Sequence, residues 1–341
     1  MGWIFLNASE SFEALRNEWD TANALCGNHV LLDSRFVAPL IRYFGPKRLL
    51  LAVNSDSAAK SFALLVKTRV GAWSTFQPAQ CPLGLVLFGA QEHCSEQLQE
   101  LISAIPGYPL LLTIFHQDPF YSSFVDARKR ANIQFLDYIQ TPRLHISGNF
   151  EDYWGNRTTK FKADIERRLR RIQEKSVKLE LVCERDAGRV AAAVREYGRL
   201  ETAGWKGKNG TAVGEDNLQG RFYREILEDF CRTGEAVIFQ LRLDDKVVAT
   251  NLCLSRNGML VSLKMTYDEE VSKLGPGILM RYEMIKQLYA HGQVGVVEFY
   301  GRFCDFHKPW TNETRTMFHV NVYRNRYLMR AQQACKRLLP V

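Results

Sequence analysis

At 341 residues, with 46% hydrophobic and 24% charged side chains, the sequence belongs to a soluble globular protein with substantial cores, and two domains are the natural expectation. No apolar run approaches the roughly 20 residues of a membrane span, and the opening MGWIFLNASESFEALRNEW lacks the basic-then-apolar plan of a signal peptide. The formal net charge of +8 suggests anionic partners without choosing between a phosphate-rich cofactor, an anionic membrane surface and nucleic acid.

Met1-Gly2 is followed by Leu6 where myristoylation requires Ser or Thr, and Trp3-Ile4-Phe5-Leu6 reads as a first strand. SFEALRNEWDTANAL brings Phe12, Leu15 and Trp19 round at helical spacing. RLLLAVNSDSAAKSFALLVKTRV reads as two strands around the polar Asn54-Ser55-Asp56-Ser57 turn. HCSEQLQELISAI is a helix, PLLLTIF a buried strand, and YSSFVDARKRA another helix ahead of IQFLDYIQTPRLHIS. Pro142 and the Ser147-Gly148-Asn149 turn fall near the expected junction between the halves.

In RTTKFKADIERRLRRIQEK, Phe161, Ile165, Leu169 and Ile172 form one stripe and basic residues occupy the rest. VKLELVC reads as a strand, then DAGRVAAAVREYGRLETAG and LQGRFYREILEDFCRTG as helices. The strands EAVIFQLRL, VVATNLCLS and MLVSLKMTY follow, and Asn257-Gly258 between the last two is a strong hairpin signal. After SKLGPGIL, the residues Ile278, Tyr282, Ile285 and Tyr289 share one helical face and Gly292 is placed to stop the helix. VGVVEFYG and TMFHVNVY read as strands, and the basic helix RYLMRAQQACKRLL closes the chain.

The eight cysteines contain no CxxC pair, and most sit in apolar settings, so buried reduced thiols in a cytoplasmic protein are expected. Cys304 and His307 have a C-x2-H spacing without a second ligand pair, and no metal is expected.

SKLGPGIL admits two readings: a turn with a good helix start, or a loop whose amides hold a phosphate. A helix N-terminus offers unpaired N–H groups and about half a positive charge, and glycine lets a diphosphate approach the backbone. An antiparallel meander, a Gly-rich turn into a helix and then a strand is also the order found in GNAT acyltransferases, whose pyrophosphate loop SKLGPGIL resembles. Lys273, Leu274, Gly275, Gly277 and Ile278 are then the cofactor-binding residues. Ser272 stands where those enzymes have Gln or Arg, and Pro276 removes one amide.

ETAGWKGKNGTAV, RFYREIL, the meander, TYDEEVSKLGPGILM and VVEFYGRFCDFHKPW together resemble the cellulose-biosynthesis (CelD-type) acetyltransferases, a GNAT group related to the FemAB peptidoglycan aminoacyltransferases. The resemblance runs from about Thr141 to Trp310; NEW and SRFVAPLIRYFG carry it more weakly in the first half. It implies an α/β (α+β) fold of tandem GNAT-like domains with mixed, largely antiparallel sheets. The expected boundaries are 1–145 for an N-terminal GNAT-like domain and 146–341 for a C-terminal GNAT acyltransferase domain. It also implies transfer of an acyl group, acetyl first, from acetyl-CoA or another acyl-CoA to an amine, on a small-molecule or lipid-linked sugar in exopolysaccharide or cell-envelope metabolism. The family's Asp-Phe-Gly appears here as Glu298-Phe299-Tyr300-Gly301. The alternatives are an aminoacyl-tRNA donor, as in FemAB relatives, and a non-catalytic subunit of a polysaccharide synthase.

Amine acylation needs a proton acceptor, a stabilised oxyanion and a stable leaving thiolate. Glu298 and Asp305 are the candidate acceptors, with Glu298 preferred for its place on the late strand; the bland reading is a strand-end ion pair. Lys308, in HKPW, either stabilises developing negative charge or is a surface lysine. Tyr267 either serves the leaving thiolate or packs, and Asp268 follows it ahead of the glycine loop as a substrate-binding candidate. His307 shares the proton chemistry and substrate contact, or is structural. Trp205 and Lys206 contact the acceptor, or anchor a glycine-rich loop. The cations between Arg157 and Lys178 form a solvated face, a strip for peripheral contact with an anionic inner membrane, or, under the alternative reading, a tRNA-binding surface.

Overall fold

The computed structural model describes residues 2–55, 60–89, 94–122, 124, 126–204, 213–214 and 216–338. By packing, the chain forms two compact units, one of residues 1–140 with 315–341 and the other of residues 141–314.

The first unit opens with β1 (Trp3–Asn7), α1 (Ala8–Ser11), α2 (Arg16–Leu25) and α3 (Ser34–Phe44). Asp33 caps α3 by accepting from the Arg35 amide at 2.8 Å, and the buried Trp19 of α2 donates its indole N–H to the Leu32 carbonyl at 2.6 Å. There follow β2 (Leu50–Asn54), β3 (Ser61–Arg69), β4 (Ala72–Thr75), β5 (Val86–Leu87), α4 (Cys94–Ala104), β6 (Leu111–Gln117) and β7 (Ile133–His145). The sheet runs β1–β2–β3–β4–β6, with β5 on β3, and β6 pairs the late strand β13 (Thr314–Tyr323). Its β4–β6 pair is parallel and the others are antiparallel. Trp3, Leu65, Leu98, Leu112, Ile114 and Val320 pack between the sheet and α4.

The second unit takes the last residues of β7 and then α5 (Phe150–Gly155), α6 (Thr159–Gln173), β8 (Leu179–Glu184), α7 (Val190–Ala203) and α8 (Leu218–Arg232). The meander β9 (Ala236–Leu243), β10 (Lys246–Arg256) and β11 (Met259–Tyr267) leads to α9 (Pro276–His291) and β12 (Val296–Glu298). Its strands lie in the order β7–β12–β11–β10–β9–β8. Only β11–β12 is a parallel pair, the one that a crossover helix, α9, connects. Helix α10 (Arg326–Leu338) ends the described chain.

The expected mixed, largely antiparallel α/β architecture is borne out. Asn257 and Gly258 both take positive φ, +51° and +73°, as the tight hairpin requires, and Gly292 ends α9 at φ +65°. On α6, Ile165 and Ile172 are buried and Phe161 and Leu169 pack against the same core. YSSFVDARKRA, by contrast, contains only a short 3-10 turn at Asp126–Lys129 among its described residues. Phe150–Gly155 forms an unforeseen helix, capped by Asn149 accepting from the Asp152 amide at 2.8 Å.

Candidate active site

The parallel pairing of β11 with β12 covers Met259–Val261 against Val296–Glu298 and then stops, while β11 runs on to Tyr267 along β10. One extra residue, Leu263, is inserted into β11 at this point, because Leu252 opposes Lys264 while Cys253 opposes Ser262. Such a bulge bends its strand and sharpens the twist locally. Burial changes at the same place: residues 259–261 are buried and 262–266 are half-buried. β12 itself ends at Glu298, so among the described residues the edge of β11 beyond Val261 has no strand partner, and this open edge and the end of β12 bound a wedge.

The glycine loop lies at the end of β11. Asp268 caps a 3-10 turn over Glu269–Leu274, accepting from the Glu270 amide at 3.0 Å. Gly275 then adopts the left-handed conformation (φ +69°, ψ +50°), and Pro276 occupies the first position of α9, where its missing N–H costs the helix nothing. The Ile278 and Leu279 amides both turn in to the Gly275 carbonyl at 3.0 Å, and no side chain caps the helix. Among the described residues the Gly277 amide has no acceptor, so the cradle amounts to one amide at the positive end of a four-turn helix.

A second positive element comes from α6. A Cβ on Gly275 would run into the Arg168 guanidinium, 2.8 Å from its Cζ; Asp164 holds Arg168 in place through Nε at 2.8 Å. A Cβ on Gly277 would lie 3.2 Å from the Tyr267 ring and 3.5 Å from the Met265 methyl, so this turn sits tightly on the open-edged part of β11. Leu274 and Ile278 pack into the core and fix the loop, whereas Lys273 is exposed.

The candidate catalytic side chains fall into separate settings. Glu298 ends β12, fully buried, with its Oε1 3.3 Å from Arg143 Nε; Arg143 also approaches Glu313 at 3.6 Å. Asp305 and Lys308 pair with each other at 2.6 Å on the surface, and this bond holds the Asp305 carboxyl below and the Lys308 ammonium above their usual ranges. Tyr267 is exposed and stacks over Gly277. Asp268 is buried, which opposes its charge, yet its 2.8 Å pair with Lys246 and the Glu270 amide bring its carboxyl below the ordinary range. His307 is lowered to about 4, first by burial and then by the field of Arg281. Trp205 and Lys206 lie outside the described residues.

Sequence reasoning missed several groups. Arg168 was one cation among many on α6, and nothing in the spacing said which of them would reach the glycine loop. Glu201 of α7 is buried, accepting from Tyr197 Oη at 2.9 Å and the Val213 amide at 2.7 Å, with Lys264 of β11 3.9 Å away. The signal was a carboxylate three residues before the Gly204-to-Gly210 stretch, which is too short a pattern to read alone.

Residues 159–308, which span this wedge, loop and helix, match the family described as an acetyltransferase (GNAT) domain. Those residues form a GNAT-type acyltransferase domain. No curated protein sequence matches the chain. Among solved structures, FemX superposes with a TM-score of 0.60 at 10% identity, over 99% of this chain and 100% of that one. The C-terminal DUF2156 domain of an Agrobacterium fabrum protein described as a lysylphosphatidylglycerol synthetase gives 0.56 at 11%, over 88% and 91%. L-PGS from Bacillus licheniformis gives 0.51 at 11%, over 94% and 96%. At such identities these likenesses establish a common fold. Among the described residues, no helix is long and apolar enough to cross a membrane, and no cluster of His, Cys, Asp and Glu has the make-up of a metal site.

Proposed function

We propose that this GNAT acyltransferase moves an acyl group, acetyl in the first instance, from acyl-CoA to the amine of an amino sugar or a related cell-envelope precursor. The observation that carries the reading is the β11–β12 wedge opening beside a left-handed glycine, a helix start and the Arg168 guanidinium. The pyrophosphate would meet the Gly277 amide, the helix end and Arg168 together. The amide-bearing pantetheine arm would lie along the unpaired edge of β11 as an added strand does.

In the transfer, the amine nitrogen attacks the thioester carbonyl, the C–S bond breaks, and the amine proton leaves. Glu298, which ends β12 beside the open edge of β11, is the proposed acceptor of that proton. Tyr267, on the loop side of the wedge, is the proposed donor to the departing sulfur. Asp305 is the second candidate for the proton and Lys308 the proposed stabiliser of the developing negative charge, while Trp205, Lys206, Asp268 and His307 are assigned to acceptor contact. The CelD-type resemblance supports the envelope-polysaccharide setting, and with it a cytoplasmic protein working next to the inner membrane. The synthetase neighbour, whose name denotes a lipid product, fits a lipid-linked acceptor.

Calorimetric titration with acetyl-CoA and longer acyl-CoAs, with Gly277→Trp as control, tests the donor. Saturable binding that the control abolishes supports the reading, and a folded protein that binds no acyl-CoA refutes it. One observation favours an aminoacyl-tRNA donor instead: Lys160, Arg167, Arg170 and Arg171 along α6 and Lys175 just past its end are all exposed. That reading requires RNA binding that weakens steeply with salt.

A further inference from the structure

Arg281, on the second turn of α9, is 4% exposed, and its Nε and Nη1 have no hydrogen-bond partner. Burial lowers its guanidinium only to about 10, so it stays charged at neutral pH. Other arginines here are matched by carboxylates: the buried Arg315 lies against Asp118 through Nε at 2.9 Å, and the half-buried Arg143 against Glu298. Among the described residues no carboxylate pairs with Arg281.

What surrounds it is aromatic. Its guanidinium carbon lies 4.6 Å from the centre of the Phe299 ring and 4.4 Å from that of Phe306. Ring faces attract a guanidinium but do not accept its in-plane N–H groups. Next to it His307, boxed by Phe299, Phe303 and Phe306, is neutral above about pH 4 and adds no competing charge. Phe306 is 38% exposed, and it sits in a segment of turns held by His307 N–H to the Cys304 carbonyl and Trp310 N–H to the His307 carbonyl, each 2.9 Å. A guanidinium held dry with its donors unmatched costs the ligand-free protein stability, and an arriving oxyanion would recover it.

We propose that Arg281 is an oxyanion subsite: its N–H edge receives a carboxylate or phosphate of a bound substrate once the exposed Phe306 ring moves aside. Planar, two-oxygen groups fit the fork best. The anion belongs either to the acceptor or to the phosphates of the donor; only this choice of source rests on the acyl-CoA reading.

The test uses the full chain and the probes phosphate and succinate, each against chloride at equal ionic strength. The wild type should be thermally stabilised by phosphate or succinate and should show the His307 ring resonance moving as the anion binds. Arg281→Met should weaken that anion's binding about ten- to a hundred-fold, the usual effect of losing a charge-assisted hydrogen bond. It should also melt higher than the wild type without anion, whereas a purely structural clamp would melt lower. Arg281→Lys, which keeps the charge and loses the fork, should retain part of the response. The source follows from acetyl-CoA against acetyl-pantetheine. Weaker acetyl-CoA binding in Arg281→Met with acetyl-pantetheine unchanged assigns the donor's phosphates; unchanged acetyl-CoA binding assigns the acceptor. A wild type indifferent to both anions, or an Arg281→Met variant with the full response, overturns the subsite whether or not acyl-CoA binds.

Discussion

The guanidinium of Arg168 lies against the α-carbon of Gly275, in the space a Cβ would otherwise fill. The glycine is required there twice over, once by its positive φ and once by its neighbour. Gly275→Ala should therefore destabilise the fold by about 1–2 kcal/mol, the cost of the left-handed conformation, and displace Arg168 as well. Arg168→Met, at a half-buried helix position, should leave stability within about 0.5 kcal/mol of the wild type. Both should weaken acetyl-CoA binding about ten-fold, the loss of one charge-assisted contact. Urea unfolding and calorimetry read the two effects separately; full donor affinity in both variants would remove Arg168 from the phosphate site.

Arg143 and Glu298 make a different kind of pair, with side chains 12% and 1% exposed. Removing one partner strands the other's charge in the interior. Arg143→Met should cost about 3–5 kcal/mol in chemical denaturation, and much of that should return in Arg143→Met/Glu298→Leu. A single-variant cost under about 1 kcal/mol would mean that water already reaches Glu298.

Three histidines set the response to acid. Burial brings His116 and His307 down to about 4, helped by the fields of His319 and Arg281 respectively, and it lowers His319 too. The unfolded chain takes up these protons near the ordinary 6.5 while the folded chain does not. Stability should thus be complete above about pH 6.5 and fall steadily as pH drops towards 4. His307→Asn should flatten that slope, measured by melting temperature against pH. An unchanged slope, or a His307 resonance that titrates near 6.5, would contradict the buried setting.

All eight cysteines are reduced thiols, with Cys304 and Cys335 exposed, Cys183 half-buried and five buried. Burial pushes Cys81 up to about 12 and Cys231 to about 11, which keeps them protonated and unreactive. Ellman's reagent should titrate two thiols quickly in the native protein and eight in guanidinium. A fast native count of about four or more would show that the cores open readily.

Periodicity made α6 legible, because it buries one regular stripe with Ile165 and Ile172; the meander, buried on both faces along β9 and β10, and α9, buried on most sides, were legible from their apolar runs and from the Asn257-Gly258 and Gly292 signals. The short helix at Phe150–Gly155 left too few residues for a period, and its only announcement was the Asn149 cap. The glycine loop was readable because Gly275 needs a positive φ. What lay beyond reach were contacts between elements distant in sequence: Arg168 on Gly275, Glu201 near Lys264, and Arg281 between Phe299 and Phe306. Each depends on the direction of one side chain on a helix whose pattern would look the same with that residue turned elsewhere.

The open edge of β11 also bears on how the protein survives in the cell. Past Val261 the strand offers a half-covered edge that another extended chain can pair with, and such edges seed aggregation. The substrate that fills the wedge would then act as a chaperone for its own enzyme. Starved of donor, the protein should lose solubility over hours at about 37 °C and exchange rapidly those amide hydrogens of residues 262–266 that face away from β10. With donor bound, those same amides should be the ones most slowed.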